Sequence, residues 1–108
     1  MKKIAFAIPA LLLLSACATQ VGRDFDLAAF DSSVRRGTTT QADVRGWLGA
    51  PGGVGVSVDS AGERFEEWSY YYAEGRFPSM ADARLKTLQV KFDQRGVVRA
   101  YNWSGERK

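Results

Sequence analysis

The feature that most constrains this chain is its only cysteine, Cys17, set directly behind a short apolar stretch in a 108-residue sequence that contains no histidine. No disulfide can form within the chain, and thiol or imidazole metal clusters lack their ligands. Lys2 and Lys3 open the sequence, an apolar stretch runs from Ile4 to Leu14, and the small residues Ser15 and Ala16 precede the cysteine. A basic start, an apolar middle and small residues before a cleavage point describe a signal peptide. The stretch is shorter than the roughly 20 apolar residues that a permanent membrane helix requires. Residues 1–16 are therefore expected to direct export and then be removed. What remains, about ninety residues, is enough for one domain with one modest core, which packing alone must hold.

The letters Leu14-Ser15-Ala16-Cys17 resemble the bacterial lipobox, whose cysteine takes diacylglycerol on its sulfur before cleavage. The resemblance implies covalent diacylglycerol and an N-acyl chain on Cys17, with no other cofactor. It also accounts for a lone cysteine in an oxidising compartment, where an unpaired thiol is a liability. Each buried CH₂ contributes about 0.8 kcal/mol, so two or three acyl chains hold a protein on a bilayer almost permanently. Ala18, in place of an aspartate after the cysteine, matches the pattern of lipoproteins sent on to the outer membrane, which gives a periplasm-facing, lipid-anchored address. The formal charge of +3 is mostly targeting signal. Without Lys2 and Lys3, 13 basic residues face 12 acidic ones, which leaves no electrostatic case for nucleic acid.

Residues 17–23 read as the lipidated end and a tether, since Ala18 to Arg23 are small or polar without apolar periodicity. The domain proper is expected over 24–108. Leu27, Phe30 and Val34 make one stripe of a short helix, with Asp24 and Asp26 near its positive end and Gly37 as its stop. Thr40 followed by Asp43 is a capping-box arrangement that starts a second helix, with Val44, Trp47 and Leu48 on one face and Gly49 and Pro51 ending it. Strand texture follows. Val54, Val56 and Val58 alternate with small residues; after a turn at 59–62, Trp68, Tyr70 and Tyr72 point to one face and Glu67, Ser69 and Tyr71 to the other. Residues 74–84 read as a loop, Leu88, Val90 and Phe92 as a strand, and Asp93 to Gly96 as a turn into a last strand from Val97 to about Trp103. The expected fold class is α+β, two short helices on a three- to four-stranded antiparallel meander.

Catalysis by nucleophile, general acid–base or metal needs histidine, a free cysteine or convergent carboxylates. Glu66 and Glu67 are adjacent on a strand and so face opposite ways, and Asp24 and Asp26 sit where a helix start favours negative charge. No catalytic residue, metal ligand or small-molecule substrate is expected. Gly52, Gly53 and Gly55 precede a strand rather than a helix and lack the Gly-Lys-Ser/Thr continuation of a phosphate loop. The candidate partner surface is Tyr71, Tyr72, Arg76 and Phe77, an aromatic and basic composition typical of binding sites. Two readings of Tyr71 stand side by side: a binding residue, or a cross-strand neighbour with its hydroxyl in water.

The run from Gly37-Thr38-Thr39-Thr40 through Val44 to Leu48-Gly49-Ala50-Pro51 resembles the G-x-T-T-x-x-x-V…L-G-x-P signature of the SmpA/OmlA, or BamE-like, outer-membrane lipoproteins. Trp68-Ser69-Tyr70 resembles that family's W-x-Y strand. Leu88 to Asp93 with Gly96-Val97-Val98 resembles its closing hairpin, so the likeness spans about Phe30 to Arg99. The resemblance implies two helices on an antiparallel sheet, an arrangement also found in secreted β-lactamase inhibitory proteins. It further implies a non-enzymatic accessory that binds envelope proteins at the β-barrel assembly machinery, with anionic lipid as a second partner. Tyr72 keeps the aromatic of the family hairpin, whereas Ala73 stands where a basic residue is found, leaving Arg76 as the nearest basic side chain. An envelope protein that binds or inhibits a different partner is the alternative the residues leave open.

Overall fold

The computed structural model describes residues 18–76 and 83–105. The signal segment, the lipobox and Phe77 lie outside those residues. Strand β1 (Ala18–Gly22) leads to helix α1 (Leu27–Ser33) and helix α2 (Gln41–Leu48); β2 (Gly53–Val58), β3 (Arg64–Arg76), β4 (Arg84–Phe92) and β5 (Val98–Gly105) follow. All pairings are antiparallel, in the order β1-β3-β4-β5, with β2 also on β3. The fold is α+β, as its pattern of elements indicates.

Both helices form where their caps dictate. Asp26 accepts from the Ala29 amide at 2.9 Å and starts α1. Thr40 and Asp43 exchange both bonds of a capping box at the start of α2, and Gly49, at φ +84, closes it. Gly37 does not end α1, contrary to expectation. Val34 turns extended after Ser33, and the Arg35 amide goes to the Thr39 hydroxyl at 2.8 Å instead of continuing the helix. The helix connection is stitched to the β4–β5 turn, where Gln41 donates to the Gly96 carbonyl and Val98 to that of Thr39.

The helices cover one face of the sheet. Leu27, Phe30, Val34, Val44 and Leu48 bury against Trp68, Tyr70, Tyr72, Leu88, Val90, Phe92 and Val98. Phe30 meets Trp47 and Tyr101 edge-on, and Trp68 meets Phe92 the same way. A bulge decides the β5 contribution. Lys91 pairs with Ala100 while Phe92 pairs with Val98, leaving Arg99 as the extra residue. Strict alternation would put Val98 and Tyr101 on opposite faces; the bulge brings both to the core.

Two further expectations change. The segment 18–22, read as a tether, is an edge strand paired with Tyr72 to Arg76. It lacks apolar periodicity because backbone bonds to β3 hold it, so the sheet gains a fifth strand. The loop read over 74–84 is narrower at both ends, since β3 runs to Arg76 and β4 begins at Arg84.

Candidate functional site

β3, at 13 residues, is long enough to accept two partners along one edge. Arg64 to Ser69 pair with β2, and Tyr72 to Arg76 pair with β1. Tyr70 and Tyr71 fall at the junction. The Tyr70 side chain turns inward and donates to the Gly49 carbonyl at 2.8 Å, and burial pushes its phenol up to about 12. Tyr71 lies on the other face, its ring between two glycines. A Cβ added at Gly22 would stand 2.8 Å from ring atom Cδ1, and one at Gly52 would stand 2.6 Å from Cε2. Gly22 also sits at φ +77, where other residues are strained.

The expected partner surface is therefore divided. Tyr71 is exposed, but Tyr72 is buried in the core on the opposite face and donates its hydroxyl to the Glu74 carboxylate. That acceptor holds the Tyr72 proton above the usual phenol range. A single flat partner cannot touch both rings. Arg76 closes β3, at the same end of the sheet as Ala18.

On the far half of the edge, β2 contains no charged residue and no proline, and among the described residues its outer side pairs with nothing. Its valines face the helix side, because Val54 stands opposite Trp68, Val56 opposite Glu66 and Val58 opposite Arg64. Yet they are 62, 58 and 55% exposed, since the helix layer does not extend over them. Val54 and Val56 line a groove of about 520 Å³ shared with Gln41, Phe65, Glu66 and the Asp93–Gly96 turn. Nearby, Trp68 donates its indole N–H to Glu66 at 2.7 Å, and the Arg45 guanidinium lies 5.1 Å from the Trp68 ring. Sequence alternation located these valines but not their exposure.

The sequence also gave no prominence to Lys86. Its side chain is only 4% exposed, yet it reaches the Phe25 carbonyl and the Asp24 carboxylate, both at 2.7 Å. The ion pair fastens the segment between β1 and α1 onto β4. The hydrogen bond from Lys86 holds the Asp24 carboxyl below its ordinary value. The clue was parity, because Lys86 shares its side of β4 with Leu88, Val90 and Phe92.

Glu66 and Glu67 do point to opposite faces, as alternation requires, and among the described residues no group of three or more acidic, histidine or cysteine side chains is placed to hold a metal ion. No family model, curated protein or solved structure matches this chain. The residues that resemble the SmpA/OmlA signature have structural duties here: Thr39 and Thr40 bond backbone amides, Val44 and Leu48 fill the core, and Gly49 ends α2.

Proposed function

We propose that this chain is a lipid-anchored outer-membrane protein of the SmpA/OmlA kind, facing the periplasm, that acts without catalysis as an accessory in β-barrel assembly by binding other envelope proteins. The lipobox-like Leu14 to Cys17 supports the anchor, and the motifs from Gly37 to Val98 support the kinship. The observation that carries the binding role is β2. A charge-free edge strand with exposed valines is a template for a further strand, and native edges without a partner are normally blunted by charge, proline or a bulge. An extended segment laid along β2 would gain backbone hydrogen bonds there and place alternate apolar side chains over Val54 and Val56.

The test is purification of the tagged full chain from membranes in mild detergent. The wild type is expected to bring down the central barrel-assembly subunit, and Val56→Lys, which places a charge on the edge, to lose it. Reproducible absence of that subunit from the wild type would overturn the assembly role. The anchor is tested separately by Cys17→Ser, which should yield an uncleaved precursor that takes up no labelled palmitate.

A further inference from the structure

The large exposed apolar side chains of the open face gather toward its β1 end, the end that follows Cys17. β1 begins at Ala18, one peptide bond and so about 3.8 Å from the Cα of Cys17. A lipid on that cysteine would be joined to the fold one residue ahead of a strand paired with β3. At roughly 3.3 Å per residue, Val21 lies about 10 Å beyond Ala18. Val21, Ala73 and Leu85 form one cross-strand row of the open face, and the next row holds Tyr71, Thr87 and Ser104. Val21, Leu85 and Tyr71 are 54, 57 and 41% exposed. Farther along, the rows turn polar with Ser69, Gln89 and Asn102, then charged with Glu67 and Lys91. The charged row stands six residues beyond Ala73, roughly 20 Å farther from the anchor.

We infer that this near corner rests on the membrane surface, with Val21, Leu85 and Tyr71 seated at headgroup depth and the domain leaning on its open face. The inference builds on the lipid-anchor reading and adds an orientation to it. Lipid suits this patch better than protein, because the exposed large apolar side chains of this face stand at the end that follows the acylated residue. The headgroup layer is only roughly 5 to 8 Å deep on each side, so the lean brings the first rows into it while the charged row stays in water. Tyrosine is favoured at that depth, where its ring meets hydrocarbon and its hydroxyl meets water. Gly22 and Gly52 fix the Tyr71 ring, so little side-chain freedom is lost on contact. Three side chains would bind a bilayer weakly by themselves; the anchor supplies the high local concentration that makes the contact persist. In this pose β2, at the far end, remains free for a protein.

The experiment uses the full lipidated chain in phosphatidylcholine vesicles doped with a headgroup-nitroxide lipid. With Cys17 acylated, an introduced cysteine is the one free thiol, so Val21→Cys, Leu85→Cys and Ala100→Cys are each labelled with an environment-sensitive fluorophore. Ser104→Cys, in the Tyr71 row, replaces either near-corner variant if it fails to fold. Labels at 21 and 85 are expected to be quenched several-fold more than the label at 100, with emission shifted to the blue. Equal quenching at all positions in palmitate-labelled protein overturns the orientation and leaves the anchor standing. Absence of palmitate from the same preparation overturns the anchor, and the orientation with it.

Discussion

β1 and β2 lie along the same edge of β3 and share almost nothing else. β1 is tied down: it pairs with the C-terminal end of β3, and the segment after it is clamped by Lys86. Its exposed valine, Val21, faces the open side of the sheet. β2 pairs with the N-terminal half of β3, has no comparable clamp in its sequence, and turns its three exposed valines to the helix side. One long strand thereby carries two apolar patches on opposite faces and at opposite ends. A small domain can expose apolar side chains in two directions if a single strand outruns each of its neighbours.

The comparison can be broken in the core first. Trp68 faces Val54 across the sheet and is buried against Phe92 at 4.7 Å between ring centroids. Trp68→Ala should cost about 3 to 5 kcal/mol in urea unfolding, and a loss below about 1 kcal/mol would place the ring at the surface instead. The clamp on the β1 side comes next. Lys86→Ala removes a charged hydrogen bond and an ion pair, for an expected loss of about 1.5 to 3 kcal/mol, with faster amide exchange confined to residues near 24–26. Unchanged exchange there would show that the clamp does not hold the segment.

Acid sharpens the contrast further. Because the folded carboxyl of Asp24 titrates below its unfolded value of 3.8, its contribution is complete above that value and fades as pH falls through the lower, folded one. Asp24→Asn should flatten this part of the acid-stability profile below pH 3.8, and an identical profile in wild type and variant would remove Asp24 from the account. The smallest stability effect belongs to β2. Val56→Lys should change unfolding by no more than about 0.5 kcal/mol, because the residue is exposed and its new charge meets water. A larger loss would mean that β2 serves the fold rather than a partner.

Much of the architecture was legible because it rests on local chemistry. The Thr40–Asp43 box, the Gly49 stop and the alternation of Trp68, Tyr70 and Tyr72 each follow from a few neighbouring residues, and each stands where the residues indicated. The reading failed where partners are distant. Ala18 to Gly22 carry no apolar pattern because an edge strand can be held by backbone bonds alone, to residues fifty or more positions away. Val34 left the helix because Thr39 captured the next amide, and Lys86 became buried because a carbonyl and a carboxylate 61 and 62 positions earlier were folded against it. The partner surface fared likewise: alternation separated Tyr71 from Tyr72, but only the burial of one ring and the exposure of the other made them unusable together.

By itself, the sequence determined that the chain must pack without an internal disulfide, that two short capped helices precede a β-meander, and that Cys17 is the chain's only thiol. Tertiary structure alone decided which valines stay wet, which lysine is buried, how the Arg99 bulge returns Tyr101 to the core, and that residues 18–22 form an edge strand on β3. The division has a physical basis. Caps and alternation are set by atoms a few bonds apart, whereas burial and edge pairing depend on how far each layer extends over the next, which no short stretch of chain encodes.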